Sequence, residues 1–185
     1  MRQSSSRRLL NWEASRTVRN KWLDTIATAA DKGRRDLMII SADLGYGVFE
    51  TFEDEHPDQF LNCGVAEQNM VGLAAGMALT SRKLFCYSIG NFPTLRCLEQ
   101  IRNDVCYHDL DVCITSVGAG FGYGQLGMSH HATEDIAIMR AAVAETLDAG
   151  VRVLIYNGLR DTGVPVEGAD KWVPRVAGEA LLAPR

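Results

Sequence analysis

The sequence has no apolar run of membrane-span length, no CxxC pair and no stripe of basic residues. The first absence argues against a spanning helix, which needs about 20 consecutive apolar residues. The second leaves five cysteines (Cys63, Cys86, Cys97, Cys106 and Cys113) scattered through apolar segments. That spacing argues against a metal site and a disulfide framework, and reads as buried reduced thiols in a cytoplasmic protein. The third, with a net charge of −4, argues against a nucleic-acid surface. Residues 1–14 carry Arg2, Arg7, Arg8 and three serines at 4–6 but no apolar core of a signal peptide, so they read as a flexible tail. No nucleophile elbow occurs, which removes a Ser-His-acid hydrolase. No repeat or low-complexity linker divides the chain. With 185 residues and 46% apolar content, residues 15–185 suit one domain with one sizeable core.

What is present is an alternation of strands and helices. Ser15 is placed to cap a helix with Val18, Trp22, Leu23, Ile26 and Ala30 on its apolar face, and Gly33 ends it. Asp36 to Ala42 is a nearly continuous apolar run, as for a strand covered on both faces. Phe60 to Cys63, Lys83 to Ser88, Asp111 to Val117 and Val151 to Tyr156 are the further strands. Between them fall a short helical turn at 48–52 and helices over 66–79, over 91–105 and from about Thr133 to Ala149. One more short helix is expected near Val176 to Leu182. This order predicts an α/β fold, a parallel sheet of about five strands with helices on both faces and right-handed crossovers. Its ligand face gathers the loops after the strands: Asp43 to Gly47, Gly64 to Glu67, Gly90 to Phe92 and Gly118 to His131.

Glu67 is the acid that this arrangement sets apart. It follows a strand directly and opens a helix whose apolar stripe is Met70, Val71, Leu73, Ala74, Met77, Ala78 and Leu79. Alone, it reads as a carboxylate complementing a helix dipole, worth at most ~1 kcal/mol. Two other patterns have plain readings. Gly122 to Gly127 matches GxGxxG literally, but it starts well after its strand and Ser129-His130-His131 precedes the helix, which makes a poor dinucleotide fingerprint. His130 and His131 are adjacent and point apart on any regular element, which disfavours a shared metal and lets one face a ligand while the other packs. Glu134 and Asp135 are dipole-complementing acids at the next helix start.

Four stretches together carry a resemblance. They are Ser-Ala-Asp-Leu-Gly at 41–45, Cys-Gly-Val-Ala-Glu-Gln-Asn-Met at 63–70, Asn-Phe-Pro-Thr-Leu-Arg-Cys-Leu-Glu-Gln-Ile-Arg-Asn-Asp at 91–104, and Gly-Met-Ser-His-His-Ala-Thr-Glu-Asp-Ile-Ala-Ile-Met-Arg at 127–140. In this order they resemble the pyrimidine-binding domain of the transketolase family, most closely the C-terminal subunit of split transketolases. The resemblance implies thiamine diphosphate as cofactor and transfer of a two-carbon ketol unit between sugars or sugar phosphates. It implies that Glu67 contacts the aminopyrimidine ring and activates the cofactor, which needs a carboxyl kept protonated by a water-poor pocket. It implies that Phe92 stacks on the pyrimidine, that Asp43 and Arg96 stand on the cofactor side, and that His130 or His131 touches substrate.

The family binds the diphosphate and its metal through a Gly-Asp-Gly…Asn motif, and no such motif occurs in this sequence. The resemblance therefore implies a partner subunit that holds Mg2+ and the diphosphate, in a hetero-oligomer. One departure stands out. After Met139-Arg140 the family continues with a Pro-containing loop and a strand, whereas here the helix is expected to run on, so the sheet is expected to lack one edge strand. Synthesis of 1-deoxyxylulose-type products, 2-oxo-acid decarboxylation and a non-catalytic regulatory subunit remain alternatives at this point.

Overall fold

The computed structural model describes residues 18–139. The expected cap Ser15, the strand at 151–156, the helix at 176–182 and the question of the missing edge strand lie outside them. The described elements are α1 (Val18–Asp31), β1 (Leu37–Ser41), α2 (Glu50–Glu55), β2 (Phe60–Asn62), α3 (Glu67–Ala78), β3 (Lys83–Ile89), α4 (95–106) and β4 (Val112–Val117). The four strands form one parallel sheet in the order β2-β1-β3-β4, with Ile40 level with Leu61 on one side and Cys86 on the other.

Each strand alternates between two cores, because successive side chains point to opposite faces. Ile39 of β1 and Phe85 and Tyr87 of β3 pack with Trp22 and Ile26 of α1 and with Phe49 and Phe52. Ile40 and Cys86 pack on the other face, with Met70, Val71 and Ala74 of α3 and Ile101 and Val105 of α4. All five residues of β1 are buried, as its near-continuous apolar run requires for a strand covered on both faces. Each fully buried aliphatic or aromatic side chain contributes about 1.5–3 kcal/mol.

Two expectations are corrected. The helix expected over 91–105 begins only at Leu95, because residues 90–94 form a turn that carries Phe92. Its second half, Ile101–Cys106, is a π-helix in which the Tyr107 N–H donates to the Arg102 carbonyl. The wider turn buries Val105 and Cys106 together. In α3 the stripe holds for Met70, Val71 and Ala74, but Leu79 is exposed and Leu73 is partly so. Gly33 ends α1 as expected, at φ +94, with its N–H and that of Arg34 on the Ala30 and Ala29 carbonyls.

Candidate active site

The site starts where β2 leaves the sheet. Asn62, its last residue, accepts at Oδ1 from the backbone N–H of Asp43 and of Gly64, both at 3.0 Å. Its Nδ2 donates to Asp43 Oδ1, also at 3.0 Å. The loop after β1 and the turn into α3 are thereby tied at one side chain. Asn62 was not singled out by the sequence; an Asn at a strand end is too common to be a signal. Cys63 adds a backbone bond to the Ser41 carbonyl at 2.9 Å.

Glu67 follows as the first residue of α3 and is 3% exposed. Its Oε2 accepts from Arg96 Nη1 at 2.8 Å. A dipole contact of at most ~1 kcal/mol does not account for burying a carboxylate, which costs several kcal/mol unless the charge is paired. The burial therefore calls for a partner, and among the described residues Arg96 supplies it. Its own side chain is 46% exposed, so the pair lies at the wall of the site rather than in the core.

Arg96 also lies over Phe92, with the guanidinium carbon 4.2 Å from the ring centroid. Phe92 in turn meets the His130 ring at 5.0 Å, tilted by 60°. Glu67, Arg96, Phe92 and His130 are thus joined contact by contact, although they come from the segments after three different strands. The turn holding Phe92 is fixed from below. Cys97 Sγ donates to the Phe92 carbonyl at 3.3 Å, and burial pushes that thiol up to about 12, so it remains a donor. Ser116 Oγ donates to the Gly90 carbonyl. Gly90 has φ +52, and a Cβ there would meet the His130 carbonyl oxygen at 3.0 Å, which explains glycine at this crossing of two loops.

The two histidines point apart, as adjacency predicted. His130 reaches Phe92, and its Nδ1 is 3.0 Å from Ser129 Oγ. His131 turns into its own loop, with Nε2 3.3 Å from the Gly124 carbonyl and its ring edge-on to Phe121 at 4.9 Å. Asp43 is the outlier of the expected set. Its carboxylate is engaged by Asn62 and by the Tyr46 hydroxyl, whose acidity it weakens. Asp135 is 1% exposed, and its Oδ2 has no partner among the described residues; burial raises its carboxyl from its ordinary value. Among the described residues no group of three or more His, Cys, Asp and Glu gathers as a metal site, and no helix is long and apolar enough to cross a membrane.

Residues 14–146 match the family described as the transketolase pyrimidine binding domain. The chain belongs to that family. It is 46% identical over 112 residues to a protein of Methanocaldococcus jannaschii described as a transketolase C-terminal section, a match covering 60% of this chain and 35% of the relative. It is 37% identical over 123 residues to one of the subunits of the apulose-4-phosphate transketolase of Phocaeicola vulgatus, covering 66% and 39%. Among solved structures, a split gene transketolase described as an inactive beta4 tetramer is similar with a TM-score of 0.57 and 27% identity, over 75% of this chain and 50% of that one. The fold is thus the α/β fold of the transketolase pyrimidine-binding domain. The chain spans little more than a third of the length of these curated relatives.

Proposed function

We propose that this chain is the pyrimidine-binding subunit of a two-chain, thiamine diphosphate-dependent transketolase that works in the cytoplasm on sugars or sugar phosphates. The observation that carries the reading is the buried Glu67 carboxylate at the start of α3, linked through Arg96 to the Phe92 ring. A buried carboxyl and an aromatic surface bridged by one guanidinium fit an aminopyrimidine, which needs a hydrogen-bonding acid at its edge and a stacking surface on its face. We assign the diphosphate and Mg2+ to a partner chain carrying Gly-Asp-Gly…Asn, a motif that this sequence does not contain.

When bound, thiamine diphosphate supplies the carbon nucleophile that carries the two-carbon unit. Glu67 would meet the ring edge through its carboxyl, and its burial keeps competing water from that contact. Phe92 orients the ring. Arg96 and Asp43 stand on the cofactor side, the first on Glu67 and the second on the Asn62 clamp. His130 is the better candidate of the pair for the substrate side, because it borders Phe92 while His131 is spent within its loop.

The higher identity of the transketolase relatives, 46% and 37% against 30% for 1-deoxy-D-xylulose-5-phosphate synthases, supports ketol transfer as the first reading. The test is co-expression with a neighbouring gene product that carries Gly-Asp-Gly…Asn. Ketol transfer dependent on both chains and on added thiamine diphosphate is the expected result. The single chain alone should give little heat on titration with cofactor and magnesium. Micromolar binding without a partner would overturn the split-site reading, and a stable hetero-complex without transfer would leave the chain a regulatory subunit.

A further inference from the structure

The contacts of Arg96 place two demands on the same pair of groups. Its guanidinium is a flat cation carrying N–H donors. One of those donors is 2.8 Å from Glu67 Oε2, and the plane's central carbon is 4.2 Å from the Phe92 centroid. An aminopyrimidine ring is also flat, also donates from nitrogen and becomes cationic when it takes a proton. It calls on a carboxyl at its edge and an aromatic ring at its face, which are the two groups Arg96 holds. We propose that Arg96 is an intramolecular stand-in for the pyrimidine: it holds Glu67 and Phe92 in position, and ligand binding is an exchange in which the guanidinium leaves both. This rests on the proposed role of the site and goes beyond it, since it assigns Arg96 a place that the ligand must take over.

The geometry suits an exchange. Arg96 is nearly half exposed while Glu67 is buried, so the guanidinium can swing outward and keep its charge in water. The carboxylate cannot follow, because it starts α3 behind the Asn62 clamp. Leaving Glu67 buried without its cation is costly, so molecules with Arg96 out are a minority until a donor arrives at Oε2. The pair thus protects a costly buried group and sets a threshold for the ligand. The apparent affinity is lowered by the fraction of molecules in which Arg96 is already out. Arg96 is then a positioning residue that selects for ring systems with a donor at the edge.

The test uses the full chain and thiamine at high concentration, since the single chain is expected to bind weakly; thiamine has the pyrimidine but no diphosphate, so its contact with this chain needs no partner's metal site. Ligand-observed NMR compares wild type with Arg96→Met, which keeps the stem and removes the cation. The variant should bind thiamine more tightly by about tenfold, as expected if about a tenth of wild-type molecules are open. Weaker or unchanged binding by a folded Arg96→Met would overturn the proposal, the first by making Arg96 a direct ligand contact. Should that variant fail to fold, 15N-labelled arginine in wild type decides. The Arg96 Nε–H resonance must move when thiamine saturates, and a resonance that stays fixed overturns the exchange. Failure of the site's proposed role looks different: no form, wild type or variant, alone or with the partner chain, would bind thiamine or thiamine diphosphate, and Glu67→Gln would change nothing.

Discussion

The two faces of the sheet are filled by different chemistry. The α1 face is aromatic: Trp22 lies 5.8 Å from Tyr87, 6.1 Å from Phe85 and 6.4 Å from Phe49, and Phe49 meets Tyr87 edge-on at 4.8 Å. Among the described residues, the α3/α4 face has no aromatic residue in its buried cluster and is built from Met38, Met70, Cys86, Cys97, Cys106 and Met139 with small and aliphatic partners. Aromatic rings interlock in defined geometries, whereas sulfur side chains adapt to irregular gaps. The helix that begins with Glu67 and the helix that carries Arg96 both sit on the adaptable face. The lesson is a division of labour: the aromatic face fixes the sheet, and the sulfur-rich face lets two site-bearing helices settle at the distance their ion pair needs.

The sharpest break of that comparison is Glu67→Gln. Turnover in the assembled complex should fall on the order of 10²- to 10⁴-fold, since a positioned acid–base group is lost. The melting curve should shift little, because Gln is a good helix former, its amide oxygen can still accept from Arg96, and the half-exposed guanidinium left without its carboxylate stays in water. The measurement is proton exchange at the thiazolium carbon beside thermal melts, and equal exchange rates would make Glu67 a structural acid only.

Phe85→Ala on the aromatic face should do the opposite. It removes a fully buried ring and should cost roughly 3–5 kcal/mol in urea denaturation. Thiamine affinity of the molecules that remain folded should be unchanged, and a parallel loss of affinity would mean that the two faces are not separable.

Cys97→Ala probes the link between packing and site. It deletes a buried thiol that donates to the Phe92 carbonyl, at a cost of about 1 kcal/mol. Because that bond holds the Phe92 turn, thiamine binding should weaken more than stability does. Equal effects would place Cys97 in the core alone.

The smallest effect is expected from Asp135→Asn. Burial raises the Asp135 carboxyl, so the folded chain favours its protonated form. The wild type therefore loses stability relative to the variant as pH rises through the carboxylate range. Thermal melts should show the variant ahead by about 1 kcal/mol at pH 7 and level with wild type in acid. A constant gap at every pH would remove the buried charge as the cause.

The sequence by itself determined the succession of strands and helices among the described residues, the placement of α3 and the position of Glu67 at its start. Those features are local: an apolar run of strand length, a helical stripe and an acid at their junction need only neighbouring residues to be visible. The stripe period buried Met70, Val71 and Ala74 as read, and adjacency alone was enough to send His130 and His131 apart. Tertiary structure decided the rest. The late start of α4 came from the turn that Cys97 and Ser116 pin from below, and no period in residues 91–105 encodes those bonds. The part played by Asn62 depends on Asp43, nineteen positions earlier, and Arg96 finds Glu67 twenty-nine positions away. Contacts between loops that follow different strands have no pattern along the chain, because only the parallel sheet brings its strand ends to one edge.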